Sequence, residues 1–193
     1  MTSAADEKAR LRSERLDARD ALPTETRIEA SLVMAEHGDA GLAIEHGTIV
    51  SGFSPIRSEA DIRPLMTCLK RRGARLCLPV ILDRQTIVFR ELVPGAPLIS
   101  MGFGTVGPGP DAEVLDPDVM LVPLAAFDAD GQRIGYGGGY YDRAIAQLHK
   151  KGLFPRLVGI AFDCQEVASV PAEPHDVRLH AVLTESGWRR FEP

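Results

Sequence analysis

A surplus of basic charge is missing: Lys and Arg number 22 against 27 Asp and Glu, for a net charge of −5. Broad, unspecific nucleic-acid binding needs a basic surface, so this balance argues against it while leaving room for local basic clusters. Cysteine is scarce as well. Cys68, Cys77 and Cys164 are an odd number without close spacing, which indicates neither a disulfide framework nor a zinc knuckle; they read as buried free thiols. No apolar run approaches the ~20 residues that a membrane-spanning helix requires, so no membrane partner is expected. The first eight residues are charged and carry no apolar h-region, so no secretory signal is expected and the chain reads as cytoplasmic. Repeats, low-complexity tails and domain boundaries are absent too. Residues 1–193 read as one domain, long enough to bury a substantial core.

Glycine, by contrast, is concentrated. Arg133-Ile134-Gly135-Tyr136-Gly137-Gly138-Gly139-Tyr140-Tyr141 runs straight into Asp142-Arg143 and a predicted helix. Gly135 and Gly137 to Gly139 let the backbone take positive φ angles and approach a bulky anion. A helix starting after them points unpaired N–H groups and its positive dipole end at that anion. Ahead lies Val119-Met120-Leu121-Val122-Pro123-Leu124, an apolar run that reads as a buried strand. Strand, glycine loop and helix form the layout of a phosphate cradle, although the pattern is neither the dinucleotide fingerprint nor a P-loop. The plainer alternative is a tight turn without a ligand.

Along the chain, residues 3–20 mix Arg, Glu, Asp, Lys, Ala and Leu without Gly or Pro and predict a surface helix. Thr24 is the expected N-cap of a second helix, running to His37-Gly38. A strand is predicted within 44–53, and Ser58 with Asp61 resembles a capping box ahead of a helix through Leu65, Met66 and Leu69. Arg75–Leu78 and Gln85–Leu92 read as strands. Residues 93–117 are dense in Gly and Pro and read as a long loop, of a length that usually signals function. A helix over Arg143–His149, a strand over Leu157–Phe162 and a short strand over Arg178–Leu183 follow, before Thr184-Glu185 starts a turn or helix. This alternation predicts an α/β fold with a mostly parallel central sheet covered on both faces.

Several residues carry chemistry, each with a duller reading beside it. Asp142 follows the glycine loop, where a carboxylate would meet the Mg2+ of a triphosphate; otherwise it complements the helix dipole. Asp176, in Pro174-His175-Asp176, follows the strand ending at Phe162. Strand ends on one edge of a parallel sheet converge on one crevice, so Asp142 and Asp176 are candidates to share an ion; in isolation His175 and Asp176 are loop residues. Lys8, Arg12, Arg15 and Arg19 lie on one helical face. The default is a solvated face balanced by Asp6, Glu7, Glu14, Asp17 and Asp20, the alternative that Lys8 and Arg12 reach phosphate oxygens. Glu59 is either a helix-start acid or a carboxylate reaching a ligand's polar ring. Phe53, Phe103, Phe127, Tyr140 and Tyr141 offer an aromatic wall, or core.

With these residues in place, the chain closely resembles the 5-formyltetrahydrofolate cyclo-ligase family over nearly its whole length. The resemblance is carried by Lys8-Ala9-Arg10-Leu11-Arg12, Ser58-Glu59-Ala60-Asp61, Leu78-Pro79, Leu121-Val122-Pro123 through Ala126-Phe127-Asp128, and Gly131 through Arg143. It closes on Gly159-Ile160-Ala161-Phe162, Gln165 and His175-Asp176. The Arg133–Arg143 stretch is the specific part. The resemblance implies a three-layer α/β/α sandwich. It implies an ATP site at Lys8, Arg12, Arg133, Ile134, Gly135, Tyr136, Gly137, Gly138, Gly139, Tyr140 and Tyr141. It further implies folate contacts at Glu59 and from Tyr136 through Gly137, Gly138 and Gly139 to Tyr140, and Mg2+ ligands at Asp142 and Asp176. Two departures stand out. Gly107-Pro108 replaces a Glu-Pro of many members, and Tyr136 and Gly138 stand where some members carry basic residues, which leaves phosphate charge to Lys8, Arg12, Arg133 and Mg2+.

The implied reaction joins ATP hydrolysis to ring closure on 5-formyltetrahydrofolate, giving 5,10-methenyltetrahydrofolate, ADP and phosphate. The implied partners are the reduced folate and ATP, with no nucleic acid and no membrane; a monomer is expected, with a dimer left open. Two other classes suit a similar fold. A sugar-phosphate isomerase or CoA-transferase would act without ATP or Mg2+, and a non-catalytic folate- or nucleotide-binding protein would bind folate without turning over MgATP.

Overall fold

The computed structural model describes residues 3–83, 86–102, 105–173 and 176–192. Helix α1 spans Ala4–Asp20. Ser3 caps it: its hydroxyl accepts from the Asp6 amide at 3.1 Å, and the Asp6 carboxylate reaches back to the Ser3 amide at 3.3 Å, a reciprocal capping box. Helix α2 spans Thr24–Gly41 with Pro23 at its N-cap, so Thr24 begins the helix instead of capping it. Helix α3 spans Arg63–Arg71 behind Ile62, which offers no side-chain cap. The expected Ser58–Asp61 box is therefore not formed; the Asp61 carboxylate accepts from Arg63, and Ser58 has partners on α1.

Strand β1 is confined to Ile49–Ser51, shorter than the 44–53 reading. β2 (Arg75–Ile81) and β3 (Ile87–Glu91) pair antiparallel; Gln85, placed at the start of that strand by sequence, lies outside the described residues. The segment 93–117 is not an irregular loop. It holds the antiparallel pair β4 (Leu98–Gly102) and β5 (Thr105–Pro108), then β6 (Val114–Leu115) along β3. β7 (Val119–Pro123) does not run directly into the glycine loop, because a small hairpin of β8 (Ala126–Phe127) and β9 (Arg133–Ile134) intervenes. Helix α4 (Tyr140–Lys150), β10 (Arg156–Ile160) and a 3-10 turn at Asp163–Gln165 follow. β11 (Ala181–Thr184) then turns into β12 (Gly187–Arg190), an antiparallel strand where a turn or helix is the sequence reading.

The central sheet has the order β12-β11-β10-β7-β1-β2-β3-β6. β11, β10, β7, β1 and β2 are mutually parallel, and the antiparallel pairs lie at the two edges. Alternate residues of β7 face opposite layers, as period-two geometry requires. Val119 and Leu121 pack with Met34, Leu65 and Leu69 of α2 and α3, whereas Met120 and Val122 pack with Ala144, Ile145 and Leu148 of α4. The result is the three-layer α/β/α sandwich. Each such buried aliphatic side chain contributes about 1.5–3 kcal/mol relative to exposure, so both faces hold the sheet. Cys77 is buried, its thiol pushed up to about 12 by that burial, while Cys68 and Cys164 are only half-buried. No helix among the described residues is long and apolar enough to cross a membrane.

The parallel strands β1, β7 and β10 end on one edge of the sheet, where their following segments emerge. Helix α1 lies over that edge, with Leu11 packed in a small cluster with Ala126, Ile134 and Val170.

Candidate active site

Helix α1 presents its basic stripe inward. Lys8 Nζ donates to Glu173 at 2.7 Å and Asp176 at 2.6 Å. Arg12 Nε donates to the Gly135 carbonyl at 2.7 Å, and Arg15 Nη1 to the Cys164 carbonyl at 3.1 Å. Arg19 is the largest fully buried side chain among the described residues, 1% exposed; its Nε donates to Ser58 Oγ at 2.9 Å and its Nη1 to the Tyr136 hydroxyl at 2.5 Å. Asp6, Glu14, Asp17 and Asp20 lie exposed. The default of a solvated basic face is therefore overturned: the cations bond to protein acceptors, while Asp6, Glu14 and Asp17 face water and Asp20 accepts from Ser58. Burial lowers the pKa of Lys8, but the Asp176 and Glu173 carboxylates outweigh it and hold the ammonium above its ordinary value.

Gly135 to Gly138 are exposed, so the loop is open to a ligand. Gly137 has φ +92 and Gly139 φ +62, a backbone that L side chains rarely adopt. Gly139 is the N-cap of α4 and supplies no side-chain cap, so no cap side chain takes the first-turn N–H groups that an anion would use. A Cβ on Gly138 would lie 2.9 Å from the Tyr140 ring, and Arg143 Cζ sits 4.9 Å from that ring's centre. A Cβ on Gly137 would lie 3.7 Å from Arg12 Cζ. Loop and α1 thus meet at Arg12, one turn from the Lys8–Asp176 pair.

Arg133 and Ile134, expected at the nucleotide, belong to β9. Ile134 turns its side chain into the Leu11 cluster. Arg133 is buried; its Nη2 donates to Asp142 at 2.5 Å and its Nη1 closely to the Val177 carbonyl. Its terminal nitrogens thus face inward, and it draws Asp142 and the neighbour of Asp176 around one guanidinium. Asp142 and Asp176 have different basic partners: one pairs with Arg133, the other with Lys8. Among the described residues no group of three or more His, Cys, Asp or Glu could hold a metal. Pro174 and His175 lie outside the described residues, as does Phe103.

Glu59 precedes α3 by several residues, with Ile62 at the N-cap, so the helix-start reading fails. Its Oε2 accepts from the Ile56 amide at 2.8 Å. Burial pushes its pKa up, and the Tyr136 hydroxyl, the Ile56 N–H and the Arg19 charge pull it back. The Tyr141 hydroxyl is buried and finds no hydrogen-bond partner among the described residues. Burial raises its pKa, and the Glu59 charge raises it further. Phe53 and Phe127 are core, 4% and 0% exposed, not pocket wall. Arg19 was legible only as the last member of the basic stripe; nothing local marked it as buried, or Ser58 as its acceptor.

The 5-formyltetrahydrofolate cyclo-ligase family model matches residues 4–185. The chain is 36% identical over 143 residues to the 5-formyltetrahydrofolate cyclo-ligase of Escherichia coli K12, covering 71% of this chain and 78% of that one. It is 33% identical over 186 residues to the Mycolicibacterium smegmatis enzyme of that name, covering 92% and 93%. The solved structure of Aquifex aeolicus 5,10-methenyltetrahydrofolate synthetase superposes with a TM-score of 0.76 at 27% identity, covering 96% of this chain and 93% of that one.

Proposed function

The chain belongs to the 5-formyltetrahydrofolate cyclo-ligase family, and from that premise we propose that it converts 5-formyltetrahydrofolate to 5,10-methenyltetrahydrofolate in an ATP- and Mg2+-dependent reaction releasing ADP and phosphate. The observation that carries the reading is the junction of α1 with the uncapped glycine loop, where Arg12 bonds Gly135 and the loop leads into the bare N-terminus of α4.

A formamide oxygen is a poor leaving group. Attack of that oxygen on the γ-phosphorus displaces ADP and converts it into phosphate, a good one. N10 then attacks the activated carbon and gives up its proton to solvent, and phosphate departs with the former formyl oxygen, leaving the methenyl bridge. Such a reaction asks the protein mainly to position groups and neutralise charge. Glycine N–H groups and the first turn of α4 would take the polyphosphate, with Lys8 and Arg12 supplying positive charge. Arg133 keeps Asp142 in place. Asp142 and Asp176 suit Mg2+ in kind, being hard carboxylates, the first held by Arg133 and the second by Lys8, with phosphate oxygens and water to complete the shell. Bound there with the nucleotide, Mg2+ would offset charge on the transferring phosphate. Glu59, Tyr136 and Tyr140 would meet the folate, and the unpartnered Tyr141 hydroxyl supports a polar ligand beside Glu59. The partners are two small molecules, a reduced folate and ATP.

The test mixes the protein with 5-formyltetrahydrofolate and MgATP and follows the long-wavelength absorbance of a methenyl product. Product must form, and omission of ATP or addition of a chelator must abolish it. Folate binding with no MgATP turnover would instead identify a binding protein.

A further inference from the structure

Arg19 is a buried cation, and a buried charge is strongly penalised unless it is compensated. Among the described residues no carboxylate pairs with it directly. A guanidinium can only donate, so the Tyr136 oxygen is the acceptor of the 2.5 Å bond from Nη1, which leaves the phenol's own proton free for the neighbouring Glu59 carboxylate, whose charge the Tyr136 hydroxyl favours. The same logic holds on the other branch. Ser58 Oγ accepts from Arg19 Nε at 2.9 Å and passes its proton closely to Asp20. One buried cation thus faces two carboxylates, each through a hydroxyl relay, and such chains polarise along their length.

We propose that Arg19 is a positioning residue for the reaction, which acts through the Tyr136 hydroxyl to orient Glu59 and keep it ionised for the folate. The inference rests on the reading of Glu59 as a folate contact. The groups facing Glu59 are Arg19 from α1, with Asp20 behind Ser58, Tyr136 from the glycine loop, Tyr141 from α4 and the Ile56 N–H of its own segment. Arg19 is the one cation among them. Without it, Glu59 retains the penalty of burial, loses one of the three interactions that offset it, and loses the group that fixes the Tyr136 hydroxyl.

The test compares full-length wild type, Arg19→Met and Arg19→Lys. The first measurement is the pH dependence of kcat/KM for 5-formyltetrahydrofolate at saturating MgATP. Arg19→Met is expected to move the acid limb upward by about one pH unit and to raise the folate KM roughly tenfold with the ATP KM little changed. Arg19→Lys, keeping the charge, is expected to restore the limb. An unmoved limb in folded Arg19→Met, or folate and ATP KM rising together, overturns the proposal. Should Arg19→Met not fold, Tyr136→Phe cuts the same relay in an exposed loop, with the Glu59 titration below as its criterion. The second measurement needs no turnover: the carboxyl carbon of Glu59, followed by NMR in 13C-Glu-labelled protein, must titrate higher in Arg19→Met or Tyr136→Phe than in wild type. If wild type makes no methenyl product, the functional reading fails by itself, and the Glu59 titration still decides the relay.

Discussion

Glu59 concentrates the conflict between burial and charge. Its raised pKa means that the folded state favours the protonated carboxyl, so ionised Glu59 detracts from stability as pH rises from the ordinary glutamate value through the folded one. Glu59→Gln is therefore expected to melt close to wild type at low pH and to gain on it towards neutrality. The same variant is expected to raise the folate KM about tenfold while leaving the ATP KM unchanged; an unaltered folate KM would remove Glu59 from the site. Asp142→Asn leaves Arg133 a neutral acceptor and should raise the Mg2+ concentration needed for half-maximal turnover, and an unchanged metal response would dismiss that ligand assignment. Lys8, Arg12, Glu59, Asp142 and Asp176 were all legible from sequence, by resemblance. Arg133 and Arg19 were less so, because identity does not reveal that a guanidinium is turned inward to a carbonyl, a carboxylate or a phenol.

Helix α1 shows why a pattern of charge can mislead. Its buried face is basic and its exposed face acidic, so a reading that seeks apolar periodicity finds a surface helix. What holds that face is a set of acceptors from the glycine loop, the 3-10 turn, Glu173 and Asp176, all distant in sequence. The glycine loop was recognisable because its composition speaks to backbone conformation directly. At Gly137 and Gly139, Ala must enter the left-handed region at a cost of about 1–2 kcal/mol, and at Gly139 its Cβ would also lie 2.8 Å from Arg143 Nη1. Both Ala variants are expected to lower Tm and raise the ATP KM. Gly135→Ala, with no positive φ and open space around its Cβ, is expected to keep Tm close to wild type. Equal losses at all three positions would show that the loop is not held as described. The β4–β5 pair escaped sequence reading because Gly and Pro around it mask the alternation on which strand signals depend.

At the scale of the molecule, five parallel strands bring the segments after β1, β7 and β10 to one edge, and α1 bridges them. The parallel core was legible because Val119–Val122 and Leu157–Ile160 are continuous apolar runs, the mark of strands buried on both faces. The antiparallel edges were not, since the direction of β3, β6 and β12 is decided by turns and partners far along the chain. That assembly sets Lys8 and Asp176, Arg12 and Gly135, and Glu59 and Tyr136 along one edge, where the proposed phosphoryl transfer from ATP to a folate formyl group would take place. The measurement that reaches this claim most directly follows the formyl oxygen itself. With 5-formyltetrahydrofolate carrying 18O in its formyl group and unlabelled MgATP, a turnover is expected to place one 18O in the inorganic phosphate released. Label appearing in water, with unlabelled phosphate, would contradict it.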